Sequence, residues 1–211
     1  MSRYSSWNHV GCYNEIITSL DKLELRSSSK LLVYYTGHGL GNDNLRLPSG
    51  QLLPTSRMID MILDRCRSNA KICFIFDCCS LGSAKLPYQL VGGEFRRING
   101  TFRKQEVMMV ASSLHSQIAV ANHEYSFFTK SLFDYLSSGN LSTELMAIRV
   151  QSKLNGCLNN LDIKQTLQVF GSRPFIPVMW TWLVRSVDIS SDANNFLLLN
   201  TPTGSSKLEI L

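Results

Sequence analysis

Two continuous apolar runs of strand length constrain the fold of this chain more than any other feature. Residues 31–36 read LLVYYT and residues 71–76 read KICFIF. Runs without polar alternation are typical of strands that are covered on both faces, as in parallel sheets. Between them, Met58, Ile59 and Ile62 recur at the spacing of one helix face. The order strand, helix, strand predicts parallel pairing through a right-handed crossover, and therefore an α/β fold with a mainly parallel sheet.

The rest of the chain adds elements around this unit. The predicted elements are a helix at 14–23, a small hairpin at 45–53, a helix that begins near residue 55, a buried strand at 107–111, helices at 125–136 and 141–158, and a strand at 166–170. Residues 78–105 contain four glycines and several basic residues, which predicts a long linker or loop. We interpret residues 1–211 as one domain with parts at 1–77 and 106–185 on either side of this linker, and a loose tail at 186–211.

The composition excludes several classes of protein. Hydrophobic residues make up 44% of the 211 residues and charged residues 18%, which predicts a globular chain. The net charge is 21 − 16 = +5, and this charge is the sole support for a nucleic-acid-binding domain as a third alternative. Because the chain lacks a basic run with interleaved aromatics, we favour a solvated basic surface without a nucleic-acid partner. The first ten residues lack the apolar region of a signal peptide, and no apolar stretch has the length of a membrane span. The six cysteines match neither a disulfide framework nor a zinc ribbon. We therefore expect a cytoplasmic protein with free thiols, no metal and no membrane contact.

A histidine and a pair of cysteines follow the two apolar runs. His38 comes just after the first run, and Cys78 and Cys79 come just after the second. Because the carboxyl ends of neighbouring parallel strands lie at the same edge of a sheet, we expect the imidazole and a thiol to meet there. Strand alternation places Asp77 and Cys79 on one side and Cys78 on the other. The amides of Gly39 and Cys79 are candidate donors to an oxyanion.

Each of these features alone has a simpler explanation. A Thr-Gly-His-Gly sequence is compatible with a turn whose histidine only makes hydrogen bonds, and a Cys-Cys pair at the end of an apolar strand is compatible with buried core. Asp77 is likewise compatible with a residue that caps a turn. The coincidence of the two motifs at matching strand ends is what favours a thiol nucleophile with a histidine base.

The two motifs resemble those of metacaspases and, more broadly, of caspase-like cysteine peptidases. Residues 35–39 (YTGHG) resemble the Tyr-Ser-Gly-His-Gly motif of metacaspases, and residues 76–82 (FDCCSLG) resemble their Asp-Cys-Cys-His-Ser-Gly motif. Segments at 111–113, 117–119, 127–132 and 165–172 resemble the small subunit of the same proteins, and the whole resemblance runs from about residue 30 to 175.

The resemblance implies a fold and an activity. The implied fold is the caspase–haemoglobinase sheet sandwiched by helices, in three layers αβα. The implied activity is that of a thiol endopeptidase, a hydrolase that cleaves protein and peptide substrates through an acyl-enzyme on Cys79, with His38 as the base. Metacaspases and paracaspases carry an acidic residue at the position of Asp77 and cleave after Arg or Lys, so we expect Asp77 to bind a basic side chain in the S1 pocket.

Basic residues in the linker carry a second expectation. The peptide bonds at Arg96, Arg97, Arg103 and Lys104 are candidates for self-cleavage in the 85–104 segment, and a simple exposed basic loop is the alternative. The acidic cluster that binds calcium in many metacaspases is not evident, because Glu94 is the sole carboxylate between Asp77 and Glu106. We therefore assign no cofactor, although this leaves calcium activation open.

Two departures from the family pattern point to an alternative function. Ser80-Leu81 replaces the usual His-Ser after the nucleophile, and only about 30 residues precede Leu31, where the family has a strand, a helix and a second strand. The sequence is compatible with a truncated reading frame, a fragment, or a divergent form that obtains the missing strand elsewhere. The alternative to an active endopeptidase is a catalytically weak homologue that acts as a regulatory or scaffold protein. Both a monomer and a homodimer are compatible with the family.

Overall fold

The computed structural model of the chain describes residues 7–9, 12–22, 30–81, 85–122, 125–138, 142–174 and 195–200. These residues form four helices and eleven strands. The helices are α1 (Tyr13–Lys22), α2 (Thr55–Leu63), α3 (Phe127–Ser137) and α4 (Thr143–Leu158). The strands are β1 (Trp7–His9), β2 (Lys30–Thr36), β3 (Gly39–Leu40), β4 (Asn44–Arg46), β5 (Leu52–Pro54), β6 (Lys71–Asp77), β7 (Tyr88–Val91), β8 (Glu94–Arg97), β9 (Glu106–Ala111), β10 (Gln168–Gly171) and β11 (Asn195–Asn200).

Eight of these strands form one sheet, in the order β1-β11-β2-β6-β9-β10-β7-β8. The first five strands in this order run parallel to one another. The last three continue the sheet through antiparallel pairs. The strands β3, β4 and β5 form a separate antiparallel sheet, which contains the hairpin predicted at 45–53. The predicted parallel pairing of the two apolar runs is therefore confirmed as the β2–β6 pair.

Both faces of the central strands are buried, as their continuous apolar runs predict. Val33, Phe74 and Phe76 belong to a core cluster that includes buried residues of α1 and α2. Tyr34 and Ile75, which alternate with them along the strands, belong to a second cluster with residues of α3 and α4. Since successive residues of a strand point to opposite faces, each helix pair covers one face of the sheet. This arrangement confirms the predicted three-layer α/β fold.

The helices reach the sheet through narrow apolar stripes. On α2, Met58, Ile59 and Ile62 are buried at the spacing of one helix face. On α3, Ser126 is the N-cap residue, and its side chain accepts a hydrogen bond from the amide of Thr129.

None of the described helices has the length and apolar character needed to cross a membrane.

The segment 78–105 contains a hairpin, although we expected a loop. Strand β7 pairs with β10, and β8 pairs with β7 at the edge of the sheet. The turn between them is Gly92-Gly93, with φ angles of 61° and 87°. Because glycine reaches positive φ at little steric cost, a Gly-Gly pair suits a tight two-residue turn that matches the twist of the strands. The strands at 88–91 and 94–97 are short and partly polar, so their sequences lack the apolar pattern that predicts a strand.

The segment 186–211, which we expected to be a loose tail, contains strand β11. This strand lies beside β2 in parallel register, from Asn195 opposite Leu31 to Asn200 opposite Thr36. Strand β11 thus lies beside the histidine-bearing strand β2. The family pattern predicts that a strand from before residue 31 lies there. The short strand β1 pairs on the outer side of β11. The rest of the predicted tail lies outside the described residues.

Candidate active site

The pairing of β2 with β6 brings the histidine and the cysteine motifs together. The last paired residues are Thr36 and Asp77, so His38 and Cys79 each follow two residues beyond the same point of the ladder. The amide of Gly37 donates to the carbonyl oxygen of Asp77 at 3.1 Å, which extends the pairing past the end of β2. Both motifs therefore leave the sheet at one edge and in one register.

Gly39 packs directly on the backbone of the cysteine motif. A Cβ atom built on Gly39 would lie 1.8 Å from the carbonyl oxygen of Cys79 and 3.2 Å from the Sγ atom of Cys78. Side-chain carbons do not approach a backbone oxygen so closely, so this contact requires glycine. The contact ties the residue after His38 to the peptide unit of the candidate nucleophile.

The loop that carries His38 is anchored through its backbone. The carbonyl oxygen of His38 accepts a hydrogen bond from the amide of Arg46 at 2.9 Å and one from the Tyr35 hydroxyl at 3.0 Å. Tyr35 is fully buried, and its hydroxyl also lies 2.9 Å from the carbonyl oxygen of Arg46. His38 itself is exposed. The imidazole is thus presented at the surface on a fixed backbone.

The two cysteines differ in burial, which separates their chemistry. Cys78 is 2% exposed, whereas Cys79 is half-buried. Burial, and then the nearby charge of Asp77, raise the pKa of the Cys78 thiol well above its ordinary value. Because the thiolate is the nucleophilic form of cysteine, this environment makes Cys78 inert. Of the pair, Cys79 has the access that a nucleophile needs.

Two serines clamp the peptide units around Cys78. The Ser112 hydroxyl lies 3.1 Å from both the amide nitrogen and the carbonyl oxygen of Cys78, accepting from the first and donating to the second. The Ser113 hydroxyl donates to the same carbonyl oxygen at 2.9 Å. Both serines are fully buried directly after β9. They hold the strand end from which Cys79 projects.

The segment after these serines contacts the thiol of Cys79. The amide of Ala119 donates to the Sγ atom of Cys79 at 3.2 Å. Ser80, the residue after Cys79, has a φ of 53°, and its amide donates a hydrogen bond to the carbonyl oxygen of Gln117 at 2.9 Å. Left-handed φ angles are uncommon outside glycine and often mark functional turns. Cys79 thus lies on a sharp turn that is held by the 112–121 segment.

Two glutamines hold the 112–121 segment in turn. The Gln117 side chain accepts from the amides of Leu114 and Thr166, at 3.2 and 2.8 Å. The Gln165 side chain donates to the carbonyl oxygen of Ser112 at 2.9 Å and accepts from the amide of Val120 at 3.1 Å. Sequence reasoning noted this region only as a resemblance and gave it no role. Of the two glutamines, Gln165 is buried and Gln117 is half-buried, and no sequence pattern marks either of them.

Asp77 is buried beneath the site in a cage of hydroxyl groups. It is 4% exposed and accepts a hydrogen bond from the Thr129 hydroxyl. The same hydroxyl lies 2.7 Å from that of Tyr34. Burial raises the pKa of the Asp77 carboxyl, and hydrogen bonds from Ser126 and Thr129 oppose this rise. Asp77 therefore links β6 to the start of α3, and its binding of substrate stays a prediction.

The predicted self-cleavage positions lie away from this edge. Arg96 and Arg97 are exposed on strand β8, which is hydrogen-bonded to β7. Arg103 forms an ion pair with Asp60 of α2. Lys104 is exposed and precedes β9. The structure does not bring any of these four residues to the His38–Cys79 edge.

No group of three or more metal-ligating side chains occurs within the part of the chain that the structure describes. The prediction that no metal takes part stays a prediction.

Comparisons with known proteins agree with this architecture. A family model for the caspase domain matches residues 13–174, more than two thirds of the chain. Among solved structures, the crystal structure of a protein from Geobacter sulfurreducens is similar, with a TM-score of 0.55 and 11% sequence identity over 81% of this chain and 77% of that one. At this identity the likeness shows the fold alone. No match was found among the curated proteins.

The contact of Gly39 with Cys79 yields a first prediction. Gly39→Ala should lower the free energy of unfolding by about 1–3 kcal/mol, the usual cost of overpacking, because the backbone at residue 79 must move. Gly41→Ala is the matched control, since a Cβ there has no atom within 4 Å. Urea denaturation of both variants measures the difference. Equal stabilities would show that the two motifs are not in contact.

The burial of Asp77 yields a second prediction, on pH. Because its folded-state pKa is raised, the folded state holds a proton that the unfolded state has released, and stability falls as pH rises from about 4 towards the folded-state pKa. Asp77→Asn removes this titration. The difference in unfolding free energy, wild type minus Asp77→Asn, should therefore decrease with rising pH in denaturation experiments.

The control for this experiment is Asp134→Asn. A hydrogen bond from Lys153 is the main cause that lowers the pKa of the exposed Asp134 carboxyl. The contribution of the Asp134 carboxylate to stability is complete above the ordinary pKa of an Asp side chain. The difference in unfolding free energy, wild type minus Asp134→Asn, should therefore stay constant above about pH 4. A constant difference for Asp77→Asn as well would contradict the prediction.

Proposed function

The chain belongs to the caspase-domain family, and from this membership we propose that it is a cysteine endopeptidase with His38 as base and Cys79 as nucleophile. One observation carries the proposal: the Gly39 backbone lies against the Cys79 peptide, so the residue next to the imidazole is fixed beside the less buried of two cysteines. A thiol and a base at one sheet edge are the minimal groups for acyl transfer.

The proposed reaction proceeds in two steps. His38 takes the proton of Cys79, and the thiolate attacks the carbonyl carbon of the scissile peptide bond. The amides of Gly39 and Cys79 donate to the oxyanion of the tetrahedral intermediate. His38 then gives its proton to the departing amine, and water hydrolyses the thioester that remains on Cys79. The Ala119 amide, 3.2 Å from the sulfur, favours the thiolate before the attack.

We propose that the substrate carries Arg or Lys at the residue whose side chain binds to Asp77. Asp77 lies two residues before Cys79, and its carboxyl group accepts a hydrogen bond from the Thr129 hydroxyl. A cationic substrate group at this site would favour the ionised carboxylate, against the rise in pKa that burial causes. A guanidinium or ammonium group that reaches this site gains a charge-assisted hydrogen bond in surroundings of low dielectric constant. Substrate binding then requires access to a carboxylate that is 4% exposed in the free protein.

A catalytically weak homologue with a scaffold role is the second candidate. The observation that favours it is the position of the Cys79 sulfur 3.9 Å from the carbonyl oxygen of Ala119, because a thiol that donates to this oxygen does not give its proton to His38. The two candidates differ in whether Cys79 reacts with a substrate-like electrophile.

Labelling of Cys79 tests the proposed activity. A peptidyl acyloxymethyl ketone ending in Arg should label the wild-type protein at Cys79, and an Asp-ended analogue should label it much more slowly. Cys79→Ala and His38→Ala should lose labelling, whereas the matched variant Cys78→Ala should keep it, because Cys78 is buried and its pKa is raised. Mass spectrometry of the labelled peptide identifies the site. A folded protein that takes no label on Cys79 would be the scaffold homologue.

Asp77→Asn separates specificity from activity. The variant should lose most of its preference for the Arg-ended reagent, by roughly 10- to 100-fold if a charged hydrogen bond is removed, and should still react with a small alkylating agent. An unchanged preference would assign Asp77 to structure alone.

We propose that self-processing, where it occurs, takes place between two molecules. Arg103 and Lys104 precede Glu106, which pairs with Lys71 at the amino end of β6. Cys79 lies beyond the opposite end of that strand, about 25 Å away at 3.3 Å per residue. A folded chain therefore does not bring these bonds to its own nucleophile.

The hairpin positions are equally remote. Arg96 lies on β8, four strands from β6 in the sheet order, or roughly 19 Å at the usual strand spacing. Residues 96 and 97 are also held in a hydrogen-bonded strand, whereas a protease needs an extended chain without partners. The bond after Lys104, which is exposed and outside the strands, is the better substrate.

A mixing experiment tests this proposal. Tagged Cys79→Ala protein serves as substrate, and untagged wild type as enzyme. Cleavage after Lys104 or Arg103 should appear, with an initial rate proportional to enzyme concentration. Arg103→Gln with Lys104→Gln in the substrate should remove it, while the matched pair Arg96→Gln with Arg97→Gln should not. Cleavage of wild type at a rate independent of its concentration would contradict the proposal.

A further inference from the structure

Strand β11 is the sheet neighbour of the histidine-bearing strand on the side opposite to the cysteine-bearing strand. Six residues pair in parallel, from Asn195 opposite Leu31 to Asn200 opposite Thr36. On its other side, β2 pairs with β6 over its full length. The two ladders therefore end at the same residue, Thr36, two positions before His38.

The connection of β1 to the sheet also depends on β11. Residues Trp7–His9 pair with 196–198 in parallel, and among the described residues β11 is the sheet partner of β1. The strand from the start of the chain thus does not touch β2 in the ladder. Removal of β11 leaves β2 as the edge of the sheet and β1 without its partner.

An edge position changes how firmly a strand is held. A central strand has hydrogen-bonded neighbours on both sides, whereas an edge strand has one row of unpaired backbone groups and opens more readily. His38 lies outside the ladder and is exposed, so its position follows that of the end of β2. A displacement of about 1 Å in a catalytic group is enough to lower a reaction rate roughly 100-fold.

We infer that β11 is a positioning element, which fixes the end of β2 and thereby holds His38 against Cys79. The apolar sequence FLLL at 196–199, between two asparagines, suits a strand inside a parallel sheet. The reactivity of Cys79 then depends on residues 195–200, which are about 120 positions away in sequence. Its catalytic part rests on the proposed function, and its structural part does not.

Truncation tests the inference. The test variant lacks residues 195–211, and the matched control lacks only 201–211 and keeps β11. Leu198→Pro is a second test variant within the full chain, because proline cannot donate to the ladder at the residue that pairs with both Tyr34 and His9. Hydrogen exchange of the amides at 31–36 reports on β2, and exchange at 107–110 in β9 reports on the rest of the sheet.

The expected result is selective. Both test variants should lose protection in β2 and keep it in β9. The rate at which the Arg-ended ketone labels Cys79 should fall by about 100-fold, the cost of misplacing a catalytic group. A synthetic peptide of residues 193–203 should restore both protection and labelling to the truncated chain. The control that lacks 201–211 should match the full chain.

Other results overturn the inference. Unchanged protection of β2 in both variants would show that β11 does not hold it. Loss of protection in β9 together with β2 would show that β11 supports the whole sheet rather than the histidine strand. A full chain that takes no label at all would overturn the proposed function, while hydrogen exchange would still decide whether β11 positions β2.

Discussion

The parallel ladder between β2 and β6 sets the register of the histidine motif against the cysteine motif. It fixes Thr36 opposite Asp77, and the two following loops inherit that register. Gly39 then meets the Cys79 carbonyl at a distance that excludes a side chain. A slip of one residue would exchange the faces of the strand and place Cys78 where Cys79 stands. The two core clusters on opposite faces of the sheet prevent that slip, because each accepts only alternate residues.

Around this ladder, the polar groups of the site form a continuous framework. The Ser112 hydroxyl accepts a hydrogen bond from the amide of Cys78, and the Gln165 side chain donates one to the carbonyl oxygen of Ser112. Asp77 accepts a hydrogen bond from the Thr129 hydroxyl of α3. Each group lies in a region where an unpaired polar atom would be costly, and each has partners within hydrogen-bond distance. Because these bonds join β6, β9 and α3, the position of Cys79 depends on parts of the chain that are distant in sequence. Its half-buried thiol is the part of this framework that meets solvent.

The sequence predicted local features well and distant ones poorly. Apolar runs and helical spacing locate β2, β6, β9 and four helices, because burial on both faces leaves a clear pattern. The hairpin of β7 and β8 escaped prediction, since residues 88–97 are short, partly polar and lie at the edge. The burial of Asp77 also escaped, because a carboxylate becomes compatible with a core only through hydroxyls such as Thr129, 52 positions later. No local pattern encodes such a partner.

The place of β11 in the sheet has a consequence for how the protein is made. Its first residue, Asn195, pairs with Leu31, which the ribosome produced 164 residues earlier. During synthesis at about 5–20 residues per second, β2 and β6 are therefore complete for roughly 6–25 seconds before β11 is complete. Over that interval β2 presents an open parallel edge, of the kind that pairs with other chains. Strand pairing over so long a separation is slow to form, so the unpaired edge of β2 exposes the nascent chain to aggregation until β11 joins the sheet.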